Sequence, residues 1–190
     1  YYHSVGLKNL IPNTLYYYQV VSGSLSSSVS SFKTSPLPGN AATADGHIRF
    51  LVMGDNEDSS SVKFDSLMVK AKRKCEQKYP GAINENISGI LMLGDQVNDG
   101  GLRSYEKVHF GKSKYLSNVL PIQTTVGENE VDGTLGLSIY NKLFYYDSLK
   151  YKGISSNTEN YYAYQVGNVL IINLSTEHTG NVQFTWLQQI

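Results

Sequence analysis

The hydrophobic and polar positions of this 190-residue chain change their period once, near residue 47. Before that point, apolar residues alternate with polar ones at 3–7, and an aromatic and β-branched run occupies 15–21. Both patterns are typical of strands, and a further strand is expected around Phe32, so residues 1–35 are predicted to be all-β. The segment 36–47 has turn residues and no periodicity, which predicts a linker.

Beyond the linker, the pattern predicts strands that alternate with helices. Short apolar runs of the kind found in fully buried strands occupy residues 48–53 and 87–93, and a third strand is predicted at 119–126. A stripe of apolar residues predicts a helix over 59–78, and a weaker helical pattern covers 104–110. The order β-α-β-α-β favours a layered α/β domain with a parallel sheet.

The last third of the chain continues the same layered pattern. Two adjacent strands are predicted at 161–166 and 169–174, joined at Gly167. A helix is predicted to begin near Asn181.

Composition narrows the possible functions. Lys+Arg and Asp+Glu both number 16, so the formal net charge is zero and no basic face suited to nucleic acid is expected. No apolar run approaches the roughly 20 residues of a membrane span, so none is predicted. The single cysteine, Cys75, lies on the apolar stripe of the 59–78 helix, where a buried hydrophobic side chain is expected rather than a reactive thiol.

Acidic residues follow three of the predicted parallel strands, each directly after a glycine: Asp55, Asp95 and Glu128. The carboxyl ends of parallel strands meet at one edge of a sheet, so these acids are expected to converge. Converging acids repel one another unless a cation lies among them, and hard oxygen ligands suit Mg, Mn, Ca, Fe or Zn. The alternative is an unrelated α/β domain in which the acids are helix caps and loop residues.

The blocks around these acids resemble those of the calcineurin-like metallophosphoesterases. They are Gly54-Asp55, Gly94-Asp95-Gln96-Val97-Asn98 and Gly127-Glu128-Asn129-Glu130. The purple acid phosphatase branch is the most similar, because it carries a fibronectin-like domain directly before the catalytic one. Here the segment Leu10-x-Pro12-x-Thr14-x-Tyr16 resembles the tyrosine corner of a fibronectin type III sandwich, in which the tyrosine hydroxyl bonds to the backbone upstream.

The resemblance implies a domain plan. Residues 1–35 would be the last strands of an all-β fibronectin-III-like sandwich, and 36–47 would be a linker. Residues 48–190 would be the amino-terminal part of a layered α/β metallophosphoesterase domain of the four-layer type. On this plan, more chain is expected before Tyr1 and after Ile190, including the histidine blocks of the family.

The resemblance also implies a site with two divalent or trivalent metal ions, Fe, Zn or Mn, that hydrolyses phosphate esters as an acid phosphatase does. Asp55 would bind the first ion and Asp95 would bridge both. Asn98 stands where purple enzymes place an Fe(III)-binding tyrosine, so a purple site is not expected, although its amide oxygen can still be a ligand. Glu128 stands where the family has a metal-binding asparagine. A phosphate ester is the implied partner, and an extracellular, periplasmic or otherwise secreted location is implied.

The third block departs from the family pattern. Asn129 replaces a histidine that contacts phosphate, so it can donate a hydrogen bond but cannot transfer a proton, a step often worth about 10²–10⁴-fold in rate. Glu128 adds a negative charge, and Glu57 offers a further carboxylate where Gly or His is expected. Of the four histidines, only His178 is placed in a loop where it can line the pocket. Two hypotheses follow: a phosphoesterase, or a catalytically impaired extracellular or surface protein that keeps the fold for a structural or binding role.

Overall fold

The amino-terminal part of the chain forms pairs of antiparallel strands. The computed structural model describes residues 3–56, 62–133 and 135–190. The first strands are β1 Leu15–Tyr18, β2 Val21–Ser22, β3 Leu25–Ser26 and β4 Ser30–Lys33. Strand β1 pairs with β4, and β2 pairs with β3. The strand predicted at 3–7 is wrong, because these residues pair with no described strand, and Val5 and Leu7 are consequently exposed.

The tyrosine of the predicted corner makes the hydrogen bond expected of it. The N–H of Ile11 donates to the hydroxyl of Tyr16 over 2.8 Å. The Tyr16 ring stacks on Phe32 of the paired strand, with ring centroids 5.8 Å apart. These contacts fix the entry into β1, whereas the fibronectin-like sandwich itself stays a prediction.

A parallel three-stranded sheet follows, with helices between its strands. The elements are β5 Phe50–Met53, α1 Val62–Lys78, α2 Ile83–Asn86, β6 Gly89–Met92, α3 Leu102–Ser104, a π-helical turn Tyr105–Phe110, α4 Gly111–Ser117 and β7 Ile122–Thr124. The sheet order is β5-β6-β7, and both pairings are parallel. The predicted α/β architecture is confirmed. The predicted start of the first helix at residue 59 lies outside the described residues.

The carboxyl-terminal part consists of short helices and a hairpin. The elements are α5 Glu128–Val131, a 3₁₀ turn Gly136–Ser138, α6 Tyr140–Leu143, β8 Tyr162–Val166, β9 Val169–Asn173 and α7 Asn181–Leu187. Strands β8 and β9 pair in antiparallel fashion around Gly167, as predicted. Gly167 has φ +54°, and a Cβ there would collide with the carbonyl oxygen of Asn40. No described helix is long and apolar enough to cross a membrane.

One face of the sheet is packed by α1, and the opposite face is covered only in part. Phe64 and Met68 of α1 pack against Ile90 and Met92 of β6, and Cys75 lies at the margin of this core, where burial raises the pKa of its thiol. Alternate strand residues point the opposite way, and Val52 is 57% exposed. The prediction that 48–53 is a fully buried strand is therefore wrong, because β5 is an edge strand of the described sheet and α1 covers only one of its faces.

An aromatic core fills the space between the sheet and the β8–β9 hairpin. Its buried rings belong to Tyr105, Tyr140, Phe144, Tyr146 and Tyr162. The side chain of His109 contacts the same rings at its edge. This core fixes β8 beside the end of β7, and so determines what surrounds the strand ends described next.

Candidate strand-end site

The ends of β5 and β6 lie side by side. The N–H of Asp55 donates to the carbonyl of Gly94 over 3.4 Å, and the N–H of Asn56 donates to the carbonyl of Asp95 over 3.1 Å. The buried Asn56 side chain adds a bond from Nδ2 to the carbonyl of Gln96 at 3.1 Å. Asp55 and Asp95 therefore follow two neighbouring strands, and each bonds through its backbone to the residue beside the other, Gly94 and Asn56 respectively.

Both of these aspartates have an uncommon backbone conformation. Asp55 and Asp95 each have φ +49°, in the left-handed region that few non-glycine residues adopt. Such conformations cost roughly 1–3 kcal/mol and persist where surrounding contacts hold them, often at functional sites. The two residues thus share strand position, side-chain chemistry and backbone strain.

Gly127, in the loop after β7, lies in close contact with Asp95. A Cβ on Gly127 would collide with the carboxylate and the amide nitrogen of Asp95, so only glycine fits there. The N–H of Asn129 donates to Oδ1 of Asp95 over 3.0 Å. This bond fixes the direction of the Asp95 carboxylate and places residue 129 next to it.

A fully buried carboxylate lies under these loops. Oε1 of Glu130 accepts the N–H groups of Gln96 at 2.8 Å and Val97 at 3.3 Å. Oε2 accepts those of Asp95 at 2.9 Å and Gly127 at 2.8 Å. Burial raises the pKa of Glu130 to about 7, and the hydrogen bonds from the Gly127, Asp95 and Gln96 amides oppose that rise.

Two of the five predicted site residues line a common cleft. Asp95 and Glu128 border a space of about 560 Å³ between the ends of β6 and β7 and strand β9. Asp55, Asn98 and Asn129 are not among its lining residues. Glu57, the further carboxylate considered from the sequence, lies outside the described residues.

The cleft is acidic. Glu177 joins Asp95 and Glu128 in its lining, which also includes the polar side chains of Asn173 and Thr176. The described residues around it include no lysine, arginine or histidine. An anionic substrate would therefore meet repulsion here unless cations were bound.

The oxygen donors fit a hard or borderline metal ion in their chemistry, although they form only part of a centre. Carboxylates at adjacent strand ends are suitable ligands for Mn, Fe or Zn. Within residues 3–56, 62–133 and 135–190, however, no three His, Cys, Asp or Glu side chains lie close enough together to hold an ion. A complete metal centre would need ligands in addition to those described.

The remaining candidate, His178, is not among the residues that line the cleft. Its Nε2 is 3.1 Å from Nδ2 of Asn160, and its Nδ1 is 3.2 Å from Oγ of Ser175. Gln183 donates to the His178 carbonyl over 2.9 Å. These bonds hold the loop between β9 and α7, and His178 does not contribute to the lining of the acidic cleft.

Two acids that no sequence motif assigns to the site, Glu130 and Glu177, lie at or under it. Glu130 stands in the third block. Its spacing from Gly127 matches that of a helix capping box, and this spacing is the sequence feature that points to a structural role. Glu177 is distant in sequence from Asp95 and follows a strand without the Gly-acid pattern, so no motif pointed to it.

Comparisons with known proteins address the fold. No protein-family model and no curated protein matches the chain. Among solved structures, the chain is similar to a purple acid phosphatase from seeds of yellow lupin (Lupinus luteus), with 16% sequence identity and a TM-score of 0.65. The match covers 96% of this chain and 34% of the lupin chain, so this chain spans about a third of the length of that structure. The fold of the chain is therefore similar to that of part of this phosphatase.

Proposed function

We propose that this chain provides part of the site of a metal-dependent phosphoesterase that hydrolyses phosphate esters. The observation that carries the proposal is the direct contact between the ends of β5 and β6, which sets Asp55 beside Asp95. Strained carboxylate residues at adjacent parallel strand ends are unusual in a purely structural role. The similarity in fold to a phosphatase supports the same reading.

The residues proposed to act have distinct roles. Asp55, Asp95, Asn98 and Glu128 would be metal ligands, for two ions among Fe, Zn and Mn. When bound, such ions neutralise phosphate charge and supply an activated hydroxide. Asn129, whose N–H already bonds to Asp95, would contact the phosphate through its side-chain amide. The partner is a phosphate ester, and a secreted location belongs to the same proposal.

A second function is favoured by the charge of the cleft. Glu128 adds to the negative charge of Asp95 and Glu177 in a space whose described lining has no cationic side chain. If the ions are not held, this charge repels phosphate esters and the chain keeps only the fold. The alternative is therefore a catalytically impaired extracellular or surface protein with a structural or binding role.

Hydrolysis of 4-nitrophenyl phosphate by the full-length protein, with Mn²⁺, Zn²⁺ or Fe ions added, tests the first function. Loss of a residue that merely supports a ligand costs about 10–100-fold, so Asp95→Asn, at a direct ligand, should lower activity by more than about 100-fold. Asp147→Asn removes an equal charge at an exposed position outside the cleft and should leave activity unchanged. No metal-dependent hydrolysis, or equal effects of both variants, would contradict the proposal.

The double variant Glu128→Asn/Asn129→His separates the two functions. It restores the amide ligand and the histidine of the family pattern. If the natural protein is impaired at this block alone, the double variant should gain hydrolysis of 4-nitrophenyl phosphate that the parent lacks. Strong hydrolysis by the parent would instead exclude the impaired alternative.

A further inference from the structure

The buried side chain of Glu130 contacts the backbone of two different strand-end loops. Its carboxylate accepts four N–H groups, three from residues 95–97 after β6 and one from Gly127 after β7. The side chain has no exposed surface, so it cannot contact a substrate. Its only described partners are these backbone amides.

The bonds to Glu130 continue into the third strand end. Asn56 after β5 bonds to the carbonyls of Asp95 and Gln96, whose own N–H groups point to Glu130. A single carboxylate thus orders residues 95–97 directly and the β5 end through them. All three acidic strand ends of the proposed site are connected to it.

A carboxylate suits this position better than a neutral side chain of the same shape. Both of its oxygens are acceptors, and each faces two backbone donors. A glutamine has one acceptor oxygen, and its NH₂ group would face two N–H donors that it cannot satisfy. Bonds to an ionised acceptor are also stronger than neutral ones.

We propose that Glu130 is a positioning residue that fixes the Asp95 backbone and the Gly127 turn, so that the Asp95 carboxylate points into the acidic cleft ready for a divalent cation. The cation part of this statement rests on the proposed function. The positioning part rests on the hydrogen bonds alone. Glu130 acts through Asp95 and does not itself contact the cation.

The first measurement is amide hydrogen exchange on the metal-free chain, parent against Glu130→Gln. The amides of residues 95–97 and 127 should exchange at least about 10-fold faster in the variant, because two of the four lose their acceptor. Amides in the β8–β9 hairpin should be unaffected. Unchanged exchange at 95–97 and 127 would overturn the proposal.

The second measurement is Mn²⁺ affinity, followed by electron paramagnetic resonance with Mn²⁺ as the only added ion. Loss of a supporting residue should weaken binding by about 10–100-fold. Tyr140→Phe is the matched control, since Tyr140 is equally buried and bonds to Thr124, and neither of these two residues lines the cleft. Its Mn²⁺ affinity should equal that of the parent. Faster exchange with unchanged Mn²⁺ affinity in Glu130→Gln would show a purely structural role and overturn the positioning role.

A second variant covers the case in which Glu130→Gln does not fold. Glu130→Asp keeps the charge but is shorter by one methylene, so it should retain part of the amide protection and part of the Mn²⁺ affinity. Protection and affinity equal to the parent in Glu130→Asp would contradict the proposed geometry. If the parent itself binds no Mn²⁺, the proposed function fails, and the exchange measurement still decides whether Glu130 orders the strand ends.

Discussion

Two buried polar clusters lie close together on the chain and hold different parts of the protein. Around Thr124, at the end of β7, the carbonyl accepts the hydroxyls of Tyr162 at 2.8 Å and Tyr140 at 3.1 Å. The same carbonyl also accepts a hydrogen bond from Nδ2 of Asn173 at 3.2 Å. Around Glu130, just beyond the same strand, a carboxylate accepts only backbone N–H groups.

The two clusters differ in charge and in the parts of the protein that they hold together. The Thr124 cluster is neutral, and burial raises the pKa of Tyr146 to about 12 and that of Tyr162 further, so the hydroxyls keep their protons. It joins side chains of the aromatic core to the sheet. The Glu130 cluster joins loops that carry no aromatic ring, although Val97 in one of them reaches the aromatic core. Where rings can pack, neutral hydroxyls suffice, whereas glycine-containing loops are held by a charged acceptor.

The largest expected effect is the loss of an aromatic ring at the Thr124 cluster. Tyr162 is fully buried and stacks on Tyr146, with centroids 4.2 Å apart. Tyr162→Ala should lower the free energy of unfolding by about 3–5 kcal/mol, because a large cavity and two lost hydrogen bonds add. Urea denaturation measures it. Tyr162→Phe keeps the ring and should cost only about 1 kcal/mol; equal costs for the two variants would show that the ring contributes nothing.

Lowering the pH should reduce the free energy of unfolding, because His109 is buried in the aromatic core in its neutral form. This side chain is buried against Tyr105, Phe110 and Phe144, and burial lowers its pKa to about 4. Because the unfolded chain has a histidine pKa near 6.5, it binds a proton that the folded chain does not, so this contribution to stability is present above pH 6.5 and lost as the pH falls towards 4.

His109→Phe removes that proton linkage and isolates the contribution of His109 from other titrations. The difference in unfolding free energy, variant minus parent, should increase by about 3 kcal/mol between pH 7.5 and pH 4. Urea denaturation at a series of pH values measures it. A difference that does not change with pH would show that His109 accepts a proton in the folded core.

A substitution at Gly127, in the Glu130 cluster, should have a smaller effect on stability. Gly127→Ala places a methyl group against Asp95, so it should cost about 1–3 kcal/mol through overpacking and a shifted loop. Thermal unfolding measures the change. Gly6→Ala is the control, since Gly6 has open space around its Cα and an ordinary φ, and it should change stability by less than about 0.5 kcal/mol.

The smallest expected effect concerns a tyrosine hydroxyl that water can replace. Tyr16 accepts the N–H of Ile11 in an exposed hydrogen bond, unlike the buried hydroxyls at Thr124. Tyr16→Phe should cost at most about 0.5–1 kcal/mol. The Ile11 amide should exchange faster while the β8–β9 amides do not change. A cost larger than that of Tyr162→Phe would remove the distinction between exposed and buried hydroxyls.

Much of the fold was predictable because its elements have strong local periodicity. The apolar stripe of α1 and the apolar runs of β5, β6 and β7 gave the correct order and the parallel sheet. The error at 3–7 has a physical reason: alternation shows that a segment suits a sheet, but a strand exists only where a partner supplies its hydrogen bonds. Exposure of Val52 was missed for a similar reason, since no local pattern shows how many faces of a sheet are covered.

From the amino-acid order alone it follows that acids stand after glycines at three strand ends, and that parallel strands bring Asp55 and Asp95 to one edge. Those features are local, because they depend on the order of elements and on the period of side chains along each strand. The packing of the folded chain, in contrast, brings the Glu130 carboxylate to the amides of residues 95–97 and Glu177 to the same cleft as Asp95 and Glu128. Such contacts join residues far apart in the chain, and they arise from how the loops pack after the sheet has formed.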